Sequence, residues 1–162
     1  MHPRAADLIA RLGMTPHPEG GHFCEVFRSS NTVIPADARP ARPAVTTIYF
    51  LLQSAEHSAL HRVLSDEIWH FYEGDPLDLV WWDRTTGALE RHRLGPVAGD
   101  STRPVAVVPA GWWQAARTTG SYTLVGCSVG PGFDYADFAM MRDDPAAVRD
   151  LREHRPELAI FL

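Results

Sequence analysis

Residues 61–74, HRVLSDEIWHFYEG, gather imidazoles, carboxylates, an arginine and aromatic rings into one short run that ends at Gly74. Side chains of these types transfer protons or bind a ligand. An imidazole titrates near neutral pH, and a carboxylate beside it can orient it and stabilise its charge. Along an extended strand the side chains alternate faces. Glu67, Trp69 and Phe71 therefore share one face, and Ile68, His70 and Tyr72 the other. Both sets are bulky, so one lines an interior and the other meets a second sheet or a partner chain. A carboxylate at position 67 facing an interior needs a cation, a metal or a set of donors; otherwise its pKa rises and it keeps its proton. His61 is the nearest candidate partner, and Arg62 is another if the chain bulges before Asp66. A plain buried salt bridge is the alternative that this spacing leaves open.

A second run, VVPAGWWQAA at 107–116, ends one strand at Pro109, turns at Gly111 and opens another that carries Gln114 among aromatics. A buried amide needs partners. His61, Glu67 and Gln114 at one barrel mouth would combine a proton acceptor, an anion and a two-way hydrogen bonder beside indole faces. That set suits a polyhydroxylated or planar small molecule. Trp69, Phe71 and Trp112 are candidates to line the same space, and Tyr49 to offer a phenol. Glu19, in the loop HPEGG, is placed to reach a ligand from the mouth, while Gly20 and Gly21 supply unusual backbone angles. In GPGFDYADF, Phe133 and Phe138 read as core or lid packing, and Asp134 and Asp137 as solvated. Arg62 and Arg117 read as surface ion pairs.

The scaffold that must position these groups is built of strands. From AVTTIYFLLQ onward, runs rich in β-branched and aromatic residues recur between turn signals: SALHRVL, EIWHFYEG, PLDLVWWD, ALERHRL, RPVAVVP, WWQAART and YTLVGCSVG. This short, regular spacing predicts an all-β sandwich or barrel. No helical pattern lies between the strands, which argues against a parallel α/β sheet. HFCEVFRS adds an earlier strand with Phe23, Glu25 and Phe27 on one face, and the proline-rich residues 31–43 cross the surface. Short helices flank the strands. The first carries Leu8, Ile9 and Leu12 on one face and ends at Gly13. The last is capped by Asp144, opened by Pro145 and stopped by Pro156, after which ELAIFL docks on the barrel or on a second subunit.

The chain has 162 residues, a net charge of −5, 45% hydrophobic and 22% charged residues. This is the composition of an ordinary globular domain, expected to span 1–162 as one unit. The charge gives no attraction to nucleic acid or to anionic lipid. No apolar run is long enough for a membrane span, and MHPRAADLIARLG shows no leader pattern, so the cytoplasm is the expected location. Cys24 and Cys127 lie in separate apolar runs and are expected as reduced, buried thiols.

Taken together, the motifs resemble the cupin superfamily, and within it the small single-domain cupins of the type 5 family. His61, Glu67 and Gly74 fall at the spacing of the first cupin motif, and Pro109 and Gly111 at that of the second. HPEGGHF, LVGCSVGPGFDYADF and the closing helix extend the likeness over nearly the whole chain. The resemblance implies an all-β cupin jelly-roll β-barrel with short N- and C-terminal helices. It would be similar in fold to dTDP-sugar 3,5-epimerases, usually a homodimer, with a small-molecule ligand inside each barrel. Two departures from the family pattern matter. Val63 stands where metal-binding cupins place a second histidine, and Gln114 where they place a third. No cofactor is therefore expected, and a redox iron is argued against; a Zn or Ni ion, if bound, would use His61, Glu67 and His70. The expected function is an isomerase or epimerase acting by proton transfer on a sugar-like or carbonyl-bearing metabolite. In it His61 is the base, Glu67 orients it, and Gln114 holds a substrate oxygen. The alternatives are a non-catalytic ligand-binding or sensing module and a metal-assisted hydrolase or lyase.

Overall fold

The computed structural model describes residues 2–97 and 101–162. In chain order the elements are α1 (Pro3–Leu12), β1 (Thr15–Pro16), β2 (His22–Arg28), β3 (Thr32–Val33), β4 (Arg42–Pro43), β5 (Thr46–Gln53), β6 (Ser58–Val63), β7 (Asp66–Gly74) and β8 (Leu77–Trp82). β9 (Leu89–Leu94), β10 (Val105–Val108), β11 (Trp113–Thr118), β12 (Tyr122–Gly130), β13 (Phe138–Met140) and α2 (Pro145–His154) complete the order. One antiparallel sheet runs β1-β2-β5-β12-β7-β10, and a second runs β13-β6-β11-β8-β9. From β5 to β13 the chain passes between the two sheets at every step except β8 to β9, and the sheets close on each other as a jelly roll. The inner faces supply Phe50, Leu52, Trp69, Leu79, Val108 and Val125 to the core between them.

Each helix covers an outer face. α1 begins with Pro3, ends where Gly13 takes a left-handed conformation at φ 61°, and lays Ala5 and Leu8 on Leu51 and Leu124 of the first sheet. Asp144 caps α2 by accepting from the amides of Ala146 and Ala147, both at 3.0 Å. Leu151 of this helix packs on Leu60, Val80 and Trp113 of the second sheet, and so do Leu158 and Phe161 of the closing 3₁₀ segment, Pro156–Phe161. The terminal apolar run thus docks on its own barrel.

Two expectations about side-chain direction fail, for identifiable reasons. Phe23 and Glu25 point inward, but the register against β5 slips between Glu25 and Phe27. The extra residue reverses the alternation, so Phe27 faces solvent and Arg28 borders the cavity at its exposed rim. Asp137 is buried rather than solvated. Residues 31–43 form the β3–β4 hairpin, which brings Arg39 and Arg42 onto its carboxylate at 2.7–2.9 Å.

Candidate functional site

A cavity of about 170 Å³ opens between the sheets at the β2, β5, β6 and β12 end of the barrel. Phe23, Ile48, Val63, Val129, Phe133 and Phe138 form much of its wall. His17, Glu19, His61, Glu67 and Cys127 also line it, all of them buried or nearly so.

Glu19 enters through the loop before β2. Its backbone carbonyl accepts from the Ala59 amide on β6 at 2.8 Å, which ties the loop down. Gly20 (φ 110°) passes so close to the His57 carbonyl that a Cβ would sit 2.2 Å from it, so only glycine permits this approach. The carboxylate then meets three side chains. Ser58 Oγ donates to Oε1 at 2.9 Å; His61 Nε2 lies 3.2 Å from Oε2, and His17 Nδ1 3.6 Å from it.

His61 is held from behind. Its Nδ1 lies 2.8 Å from the Ala59 carbonyl, which can only accept, so Nδ1 carries hydrogen. In the neutral ring the lone pair is therefore on Nε2, facing Glu19. Phe138 stacks on the ring at a centroid distance of 5.6 Å and excludes water from that side. Burial pulls the His61 pKa down, while the Glu67 charge and the Ala59 carbonyl partly offset it. Burial pushes Glu19 up to about 7, against the opposing effects of His17 and Ser58. His17 is also lowered by burial, with Glu19 acting against that. Glu19 and His61 are close enough to gain and lose protons as one unit.

Glu67 comes from β7, on the other sheet. Gln114 stands opposite His61 in the β11–β6 register and reaches across the barrel to it. The amide is locked at both ends. Trp69 Nε1 donates to its Oε1 at 3.0 Å, so its Nε2 must face Glu67, where it donates to Oε2 at 2.6 Å. The Glu67 pKa is raised by burial, with His61 countering, Glu19 adding, and Gln114 and the Cys127 thiol countering through hydrogen bonds. Burial also drives Cys127 well above its ordinary value, which keeps it a neutral thiol.

His61, Glu67 and Glu19 thus share one hollow. Gln114 is not among the residues that line the hollow; its amide bonds Trp69 at one end and Glu67 at the other, and so positions Glu67. The side chain in contact with His61 Nε2 is Glu19, where Glu67 was expected. Trp69 is core, and Phe71 and Trp112 pack against the same core outside the cavity lining. Tyr49 faces outward, edge-on to Tyr72 at 5.8 Å and packed beside α1, because Ile48 and Phe50 take the inward positions of β5. Arg62 sits over the Trp113 ring at 5.0 Å. His17 and Cys127 were missed as site residues. HPEGG was the available signal for His17, whereas Cys127 carried none beyond its place in an apolar strand. Cys127 is buried and Cys24 half-buried, and both are free thiols.

The residues present do not fit the metal centre typical of cupins. Val63 lines the wall where a second histidine would stand, and Gln114 is engaged by Trp69 and Glu67. His70 lies on the face of β7 opposite Glu67, so His61, Glu67 and His70 do not come together. Among the described residues, no three His, Cys, Asp or Glu side chains are grouped so as to hold a metal ion.

Two antiparallel sheets closed on a small interior hollow define a jelly-roll barrel of the small-molecule-binding kind. The chain belongs to the family described as Cupin superfamily (DUF985), whose profile matches residues 6–141. It is similar to a solved hypothetical protein from Leishmania major, with 33% identity, a TM-score of 0.82, and 97% of this chain and 96% of that one covered. A solved protein from Shewanella oneidensis is 30% identical, with a TM-score of 0.84 and the same 97% and 96% coverage. A cupin 2 conserved barrel domain protein from Rhodopseudomonas palustris is similar in fold alone, at 14% identity and a TM-score of 0.59 over 91% of this chain and 84% of that one. No curated protein matches. No helix among the described residues is long and apolar enough to cross a membrane.

Proposed function

We propose that this cupin is an acid–base enzyme of the isomerase or epimerase type, which moves a proton on a carbonyl-bearing small molecule held in the hollow. The observation that carries the reading is the contact of Glu19 Oε2 with His61 Nε2 at 3.2 Å, with the other ring nitrogen tied to the Ala59 carbonyl. Once the pair has lost its shared proton it is a base of near-neutral strength. Glu67, supplied by the opposite sheet and favoured in its protonated form by burial, is the matching acid. The pair takes the proton from the carbon next to the carbonyl as Glu67 gives one to the carbonyl oxygen. Reversal of the oxygen step and return of a proton to carbon complete the isomerisation. The roles differ from the sequence expectation: Glu19 rather than Glu67 partners His61, Glu67 serves as the acid, and Gln114 positions Glu67.

The test is incubation in D₂O with a panel of aldoses, 2-oxo acids and small cyclic ketones, reading deuterium at the α-carbon by NMR. Exchange should be catalysed by the wild type. It should rise with pH through about 7 as Glu19 ionises and fall by roughly 10²–10⁴-fold in His61→Ala. Exchange unchanged in His61→Ala would remove that residue from the chemistry. Binding with no exchange would favour a sensing module instead.

The exposed apolar side chains Ile68, Tyr72, Val105 and Val107, on the outer side of the first sheet, support the pairing of two copies there. A monomer in sedimentation at micromolar concentration would remove that part of the reading.

A further inference from the structure

The wall of the cavity and the state of its polar groups limit what can enter. Its volume is about 170 Å³. A cavity of roughly 150 Å³ accepts benzene, so this one has room for about six to ten non-hydrogen atoms. Phe23, Ile48, Val63, Val129, Phe133 and Phe138 present hydrocarbon to whatever sits there. Several polar groups in the lining are partly engaged with protein partners. Thr46 Oγ1 accepts from the Phe133 amide at 2.9 Å. Arg28, the cation among the lining residues, gives Nε and Nη2 to Glu25 and Nη1 to the Phe133 carbonyl. Tyr135, mostly exposed, brings its phenol to the cavity from the solvent side, whereas the buried donors and acceptors cluster at one end, around Glu19, His61 and Glu67.

We infer that the pocket selects neutral, mostly apolar carbonyl compounds of about six to ten non-hydrogen atoms and rejects both sugars and carboxylic acids of that size. A sugar that fits carries a hydroxyl on nearly every carbon, and most of these would leave water for contact with phenyl and valyl groups. A carboxylate would enter beside two buried acids, while the Arg28 guanidinium in the lining stands at the exposed rim, paired with Glu25. A ketone or aldehyde with a hydrocarbon body needs one polar contact, at the end where the acid–base groups stand. The substrate class keeps the carbonyl-bearing half of the sequence expectation and departs from its sugar-like half. It rests on the proposed function for the use of the carbonyl, but on the cavity alone for the selectivity.

Cyclohexanone, xylose and cyclohexanecarboxylate, at pH 8, are suitable probes of similar size. Binding to the full chain is measured by saturation-transfer NMR, and α-carbon deuteration is read in the same samples. Cyclohexanone should bind at least about tenfold more tightly than either of the others. Its signal should vanish in Val129→Phe, which fills the cavity, with circular dichroism confirming that the variant folds. The ranking of the three probes on the wild type stands as a test even if that variant does not fold. Xylose or the carboxylate binding as tightly as the ketone would overturn the inference. So would silence from all three, or ketone binding undiminished in a folded Val129→Phe. Bound cyclohexanone without deuteration would end the catalytic reading and leave the selectivity standing; deuteration of xylose would do the reverse.

Discussion

Two buried clusters of ionisable side chains lie close together in this barrel, and they are resolved in opposite ways. At the first, Asp137 receives Arg42 through two nitrogens at 2.9 Å each and Arg39 at 2.7 Å. The Arg42 hydrogen bond, assisted by both guanidinium charges and opposed by burial, holds the Asp137 carboxyl below its usual value. At the second, Glu19 and Glu67 have histidines, a serine, an amide and a thiol for company, and burial drives both carboxyls up. The difference is the presence of a permanent cation. Arginine keeps its charge at any pH the fold survives, so it fixes a carboxylate as an anion. Imidazole can lose its charge, so the second cluster is left holding mobile protons. The first cluster also serves the second. Asp137 immediately precedes Phe138, whose ring covers His61, and the Asp137 carbonyl accepts from Leu64 at 3.2 Å. The fixed ion pair is thus a latch for one wall of the proton-bearing site.

The largest effect should come from breaking the latch. Asp137→Asn takes the anion from the buried Arg42 and leaves Arg39 paired with Asp37 alone, and should lower the melting temperature by roughly 10 °C. A fall of less than about 2 °C would mean that the cluster behaves as a solvated one. A smaller and pH-specific effect separates the second cluster. Between 4.5, the ordinary value, and about 7, folded Glu19 keeps a proton that the unfolded chain has released. Stability contributed by this group is therefore present at low pH and lost as pH rises through that window, by roughly 3 kcal/mol. His17 and His61, held low by burial, act in the opposite sense below their ordinary 6.5. The difference between wild type and Glu19→Gln, followed by urea unfolding from pH 4 to 8, isolates the Glu19 contribution. Parallel curves would show a carboxyl that titrates as in water. The smallest effect is at Gln114→Leu, which leaves the Trp69 indole without its acceptor and Glu67 without one donor. It should cost roughly 1–3 kcal/mol of unfolding free energy, read by urea titration, and push Glu67 still higher, extending the protonated form to more alkaline pH.

Much of the architecture was legible because it depends on local periodicity. Alternation predicted that Glu67, Trp69 and Phe71 share a face, and turn signals predicted an all-β barrel. The end helices carried their caps in Gly13, Asp144 and Pro145. Alternation misled where a bulge inserted one residue, and Phe27 was assigned the wrong face for that reason. The site was only partly legible. His61 and Glu67 were marked by type and spacing, but Tyr49 looked as promising as Glu19 until the sheet turned it toward α1. Asp137 and Glu19 are both acids in glycine-containing loops or beside them, and nothing in their neighbours along the chain distinguishes a latched anion from a proton carrier.

The sequence by itself determined most of the strands and most of their faces, the helix ends and the family, because each depends on residues a few positions apart. The tertiary structure alone decided which carboxylate meets His61, which amide holds Glu67, and which acid is given an arginine. Those outcomes join β6 to a loop 39 residues away, and residue 137 to a hairpin 95 residues away. The energy of a buried charge is set by what stands within a few ångströms of it, whatever the distance along the chain.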